Sequence, residues 1–162
     1  MSQAASETGR LEGQVAVITG AASGIGEGTA RLFASEGARV VIADIQDSRG
    51  EKLAEELGPR TSFWHTDVTS EDDIHGAINH AVEKFGRLDV MYNNAGFGGV
   101  SGPIETTDVA ALRNTVDVLL NAIVIGMKHA TPIMKAQHSG NIISTASVAG
   151  IGVGFGGHVY SA

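Results

Sequence analysis

The stretch "VAVITGAASGIG", residues 15–26, constrains this chain more than any other. "VAVIT" is a continuous apolar run without alternation, as expected of a strand buried on both faces of a parallel sheet. It passes directly into Gly20, Gly24 and Gly26, after which Ile25, Thr29, Leu32 and Phe33 recur at helical spacing as far as Gly37. A strand that turns into a helix through glycines lets the backbone approach a pyrophosphate closely. The free N–H groups and the dipole of the helix N-terminus then favour an anion at that place. Gly20, Ser23, Gly24, Ile25 and Gly26 are therefore candidate nucleotide-binding residues. Taken alone, the loop leaves open a plain turn that merely needs glycine.

A second feature bears on that choice. Asp44 ends the next β-rich run, "RVVIAD", eighteen residues beyond Gly26. A carboxylate there accepts hydrogen bonds from a ribose diol and repels a 2′-phosphate. No Arg or Lys lies between Gly20 and Gly26 or directly after Asp44, so the expected cofactor is NAD rather than NADP. The alternative for Asp44 is a solvated carboxylate at a strand end.

Further along, short β-rich runs alternate with segments of helical period. Leu53 and Leu57 mark a helix closed by Gly58 and Pro59. Residues 61–68, "TSFWHTDV", read as a third strand, in which Trp64 is a packing residue. Ser70 with Asp73 resembles a capping box, and Ile74, Ile78, Ala81, Val82 and Phe85 form the stripe of the next helix. Residues 88–92 read as strand four, about 108–136 as a long helical region, and 141–145, "NIIST", as strand five. This alternation predicts an α/β fold, a Rossmann-type doubly wound parallel sheet of order 3-2-1-4-5 with helices on both faces.

The remaining bulk properties exclude more than they assign. A chain of 162 residues suits one domain. Residues 1–10 read as a disordered tail without the apolar core of a signal peptide, leaving 11–162 as the NAD-binding domain. A net charge of −7 without a basic block argues against nucleic-acid and anionic-membrane partners. Residues 116–127 form the most apolar stretch, interrupted by Asp117 and Asn121 and too short for a membrane span. Cysteine is absent, which fits a cytoplasmic setting. The six histidines show no metal-ligand spacing, so no metal is expected; His129 reads as an ordinary helix-face residue.

The loop spacing TGxxxGxG resembles that of the short-chain dehydrogenase/reductase family, and three further motifs follow in that family's order. Asp67 with Val68 resembles the pair that holds the adenine ring. "NNAG", with Asn94, Ala95 and Gly96, resembles the motif that supports the central sheet beside the cofactor. Ser147 precedes Tyr160 by thirteen residues, the family's separation of catalytic serine and tyrosine. The phrases "VVIADI", "GRLDVMYNNAG", "GMKHA" and "HVYSA" are similar to the branch containing secoisolariciresinol dehydrogenase. The resemblance covers residues 11–162 and implies hydride exchange between NAD and a small alcohol or ketone, with homo-oligomers among full-length relatives.

By that resemblance Tyr160 is the acid/base and Ser147 holds the substrate oxygen. Alone, each reads as a terminal aromatic or a turn serine; their joint spacing after the glycine loop favours the catalytic origin. A free tyrosine titrates near about 10, and moving it to neutrality corresponds to roughly 4 kcal/mol. One cation at about 4 Å, with an effective dielectric of about 20, supplies about that much. The family's lysine, four residues after the tyrosine, would fall past Ala162, so an impaired, truncated dehydrogenase is expected. Leu119 stands where the family's relay asparagine belongs, and Asn121 points to another helix face. His158 is a candidate pocket residue, and Phe97, Ile151, Val153 and Phe155 either wall the crevice or pack ordinarily. The rival readings are a non-catalytic form that binds NAD or pairs with relatives, and a Rossmann-like methyltransferase, which TGxxxGIG and NNAG disfavour.

Overall fold

A computed structural model describes residues 9–152 and 154–162. Five parallel strands lie in the order β3-β2-β1-β4-β5, as the alternation predicts. They are β1 (Val15–Thr19), β2 (Arg39–Asp44), β3 (Thr61–His65), β4 (Val90–Asn93) and β5 (Asn141–Ser144). The helices are α1 (Gly24–Ser35), α2 (Asp47–Leu57), α3 (Glu71–Phe85), α4 (Val109–Val116), α5 (Ala122–Gln137) and the short α6 (His158–Ser161). A π-helical turn, Asp117–Asn121, joins α4 to α5 without a break.

The strand runs lack alternation because both faces of the sheet are covered. Val15, Val17, Val41 and Ala43 pack with Ile74 and Ile78 of α3 and Ala130 and Met134 of α5. Ala16, Ile18, Val40 and Ile42 face the other way, onto Ala30 of α1, Leu53 of α2 and the partly buried Phe33 and Leu57. Each fully buried Val or Ile contributes about 2 kcal/mol, which concentrates the stability in β1 and β2. Register between β1 and β4 is pinned by Asp89, which is buried. It accepts from the Val15 N–H at 2.9 Å and from Arg87 Nε and Nη2 at 2.8 and 2.7 Å.

Several local expectations are corrected. The stripe expected for α1 is its packing face only in part: Phe33 meets the core, but Ile25 and Leu32 are exposed, while Gly26 and Ala30 are buried. Small residues let the helix sit close to the sheet, so the contact is made by residues that a hydrophobic pattern ranks low. The third strand ends at His65 rather than continuing to 68. Thr66 donates its N–H to the Asp44 carbonyl at 3.0 Å, and Asp67 then turns the chain by accepting from the Thr69 N–H at 2.9 Å. In the cap of α3, the Asp73 N–H donates to Ser70 Oγ at 3.3 Å and the Asp73 carboxylate accepts from the Ser70 hydroxyl at 3.0 Å and the Asp67 N–H at 2.9 Å, while the Ser70 N–H goes to the Asp67 carbonyl rather than to Asp73.

Of the expected tail, residues 1–8 lie outside the described residues, and Arg10 is held by Glu36 through its N–H and guanidinium, at 2.9 and 3.0 Å. The apolar stretch at 116–127 belongs to a continuous helix, Val109–Gln137, of 29 residues, long and apolar enough by length and composition to cross a membrane. Its observed place is against the sheet, through Ala122, Gly126, Ala130 and Met134. At Gly126 it crosses β4 so closely that a Cβ would overlap the Asn93 side chain. Trp64 is part exposed and stacks on His80, with ring centroids 4.6 Å apart. His129 is a helix-face residue, as expected. It contacts Glu71 of α3 at 2.8 Å and stacks on His75.

Candidate active site

The carboxyl ends of β1, β2, β4 and β5 open onto one crevice of about 770 Å³. Such a position is where doubly wound sheets take their ligands. Its floor is organised by Thr19. The Thr19 hydroxyl accepts from the N–H groups of Asn94 and Ala95, both at 3.0 Å, and the Asn94 amide donates back to the Thr19 carbonyl at 3.0 Å. Thr145 at the end of β5 donates to the Asn94 side-chain oxygen at 3.1 Å. Asn94 thereby ties the ends of three neighbouring strands, as the NNAG resemblance implies. Asn93 is buried, and its side-chain nitrogen has no partner among the described residues.

At one side of the crevice lie Gly20, Ser23, Gly24 and Ile25. Gly20 and Gly24 have φ of 65° and 55°, the left-handed region that glycine enters without strain. The Ser23 side chain makes no cap bond to α1, so the first N–H groups of this twelve-residue helix are not taken up by a capping side chain. Gly26 does not line the crevice. It is buried beneath the loop, where a Cβ would overlap the Gly20 carbonyl and crowd the Asn94 amide at 2.7 Å. Its place is to bring helix, loop and NNAG segment together.

Asp44 is buried at the end of β2 and faces the same space. Its carboxylate accepts from the Ala22 N–H at 2.9 Å through one oxygen and from the Gln46 N–H at 3.0 Å through the other. That second oxygen, Oδ1, also accepts from the Gln46 side-chain amide at 3.3 Å, while Oδ2 keeps a further lone pair. The carboxylate therefore fixes the glycine loop and retains acceptor capacity for a ribose hydroxyl at Oδ2. Asp67 and Val68 line the crevice beside it, and Ile45, Gln46, Thr66 and Thr69 complete that end.

The opposite end carries Ser147 and Tyr160, which line the same crevice. Ser147 starts a short 3-10 turn and accepts from the Ala149 N–H at 3.2 Å, which leaves its hydroxyl hydrogen without a partner among the described residues. Around them stand Ala95, Gly96, Phe97, Val118, Leu119 and Ile123. None of the described lining residues is a Lys or Arg. Leu119 occupies the π-helical turn and faces the crevice, whereas Asn121 is exposed and donates to Asp117 at 2.7 Å. Of the described apolar wall candidates, Phe97 alone takes that place. Ile151 and Phe155 are exposed away from the crevice, and Val153 lies outside the described residues. His158 is exposed and does not line it.

The arrangement therefore combines an anion-ready helix end, a carboxylate with a free acceptor site and a hydroxyl pair in an apolar pocket. That combination suits a dinucleotide laid across the strand ends.

The geometry agrees with known proteins. Over 141 residues the chain is 51% identical to borneol dehydrogenase, mitochondrial, of Lavandula x intermedia, covering 86% of this chain and 54% of that protein. It is 44% identical over 153 residues to secoisolariciresinol dehydrogenase of Forsythia intermedia, covering 93% and 55%. The crystal structure of a short chain dehydrogenase/reductase from Burkholderia phymatum, in complex with NAD, superposes with a TM-score of 0.88 at 30% identity, covering 93% of this chain and 55% of that one. The chain thus spans about half the length of the relatives it matches. The family model described as short chain dehydrogenase matches residues 14–162, and the chain belongs to that family.

Proposed function

We propose that the protein is an NAD-dependent oxidoreductase that exchanges hydride between a secondary alcohol and its ketone. The observation that supports this most is that Ser147 and Tyr160 line the same crevice as Asp44 and the glycine loop. When bound, NAD supplies the hydride acceptor. The α1 N-terminus with Gly20, Ser23, Gly24 and Ile25 holds the pyrophosphate, Asp44 accepts from the adenine ribose, and Asp67 and Val68 flank the adenine. Ser147 donates to the substrate oxygen, and Tyr160 takes or returns its proton. Phe97, Leu119 and Ile123 give the reactant an apolar setting, which favours a small uncharged alcohol or ketone. A cytoplasmic setting belongs to the same proposal.

Turnover by these 162 residues is weak in this reading, because no cation among the described lining residues stabilises the Tyr160 phenolate. NADH formation from a panel of cyclic secondary alcohols tests it. Slow turnover lost in Tyr160→Phe and Ser147→Ala is expected; brisk turnover at neutral pH that both variants retain would overturn the proposed roles. A second reading, a non-catalytic form that pairs with longer relatives, is favoured by the exposed Leu120, Val124 and Met127 on the joined α4–α5 helix. Co-elution with such a relative in size-exclusion chromatography is its test, and a monomer that ignores the relative counts against it.

A further inference from the structure

The proposed roles leave a buried hydroxyl on α4 unused. Thr115 on α4 is fully buried, does not line the crevice, and has a hydroxyl that both donates and accepts. It donates to the Ala111 carbonyl at 2.8 Å and accepts from the Val100 N–H at 2.9 Å. The second bond draws in the loop that follows NNAG. Gly99 in that loop has φ 68°, and a Cβ there would stand 2.6 Å from Thr115 Cγ2. Hydroxyl and methyl of one side chain thus fix both the direction of the loop and its distance from α4.

The same loop supports the segment that carries Tyr160. A Cβ on Gly157, the N-cap of α6, would lie 3.2 Å from the Val100 carbonyl oxygen and 3.7 Å from Ser101 Cα. Helix α6 also packs against α4. Behind it, Gly156 admits the Tyr160 ring, since a Cβ there would come within 2.7 Å of Tyr160 Cδ1. Contacts therefore run from Thr115 through Val100 to Gly157, and from there to the tyrosine.

We infer that Thr115 is a positioning residue for Tyr160, acting through the loop at 97–103. The inference rests on the proposed role of Tyr160 for its functional meaning, and its structural content is measurable without nucleotide. Valine keeps the shape of threonine and removes the acceptor that Val100 needs, whereas serine keeps the acceptor. Tyrosine is present only at 92 and 160, so ring-labelled ¹³C-tyrosine gives one internal control and one reporter.

In Thr115→Val, the Tyr160 resonance is expected to move toward its position in an unfolded chain while the Tyr92 resonance stays; Thr115→Ser is expected to restore it. Gly99→Ala, which pushes the loop away from the other side, is expected to reproduce the valine effect and decides the matter if Thr115→Val does not fold. A Tyr160 resonance unchanged in Thr115→Val, or in Gly99→Ala, overturns the inference. Adding NAD separates the two levels. A wild-type Tyr160 signal indifferent to NAD counts against the role of Tyr160, while a response preserved in Thr115→Val counts against the positioning.

Discussion

His80 and Trp64 illustrate how one residue pair reports on its surroundings. The imidazole stacks on the indole, and its Nε2 lies 3.1 Å from Ser62 Oγ. Partial burial, and secondarily the nearby Lys84, hold the His80 pKa below its usual value, with Glu83 opposing. An unfolded histidine titrates near about 6.5, so as pH falls through that region the unfolded chain takes up the proton first. The contribution to stability is fully present above that value and is lost as pH falls through the lower folded pKa. His65 runs the other way, raised by Asp47, so the wild type must be compared with His80→Gln, in which His65 is common to both. Denaturant unfolding is expected to show a loss of stability below pH 6.5 that the variant lacks. Trp64 is the chain's single tryptophan, and its fluorescence is expected to fall over the same interval as the imidazolium forms and quenches the indole. An acid profile identical in wild type and variant would show that the stacked pair does not titrate.

Among the elements, α5 crosses β4 closely at Gly126, against Asn93 and Met91. Gly126→Ala forces extra volume into this contact and is expected to cost about 1–3 kcal/mol in denaturant unfolding; a neutral effect would show that the crossing has slack. This crossing also shows what the sequence displays and what it hides. Strands β1 and β2 are legible because a two-sided apolar environment selects unbroken Val and Ile runs. The packing face of helix α1 is less so, because Gly26 and Ala30 are its buried residues, Ile25 and Leu32 point outward, and of the large apolar residues only Phe33 is partly buried against the core. Nothing in "DVLLN" distinguishes a π-helical turn from an α-helical one by periodicity, yet that turn is what carries Leu119 to the crevice. The nucleotide side of the site is legible because its residues directly follow strands. Ile45, Gln46, Thr66 and Thr145 follow the same rule and were reachable by it. Asn114, Val118 and Ile123 reach the crevice from the joined helix across the loop, and no local pattern marks them.

At the scale of the whole molecule, one glycine loop, one carboxylate and one strand-tying asparagine converge on a single crevice at the carboxyl ends of a parallel sheet. The outer face of the joined helix and strand β5 stay open, with Leu120, Val124, Met127, Ile142 and Ile143 exposed. The proposed nucleotide site does not depend on those surfaces, since its residues come from the loops and helix start that follow β1, β2, β3 and β4. Cofactor binding is therefore separable from turnover. Calorimetric titration of this chain with NAD and with NADP tests the central claim most directly. Like charges about 4 Å apart at an effective dielectric of about 20 repel by about 4 kcal/mol, so even a fraction of that at Asp44 gives a preference of about tenfold or more. Saturable one-to-one binding of NAD, with NADP weaker by at least that margin, is the expected result. Equal or tighter binding of NADP, or no binding of either nucleotide, would contradict the account.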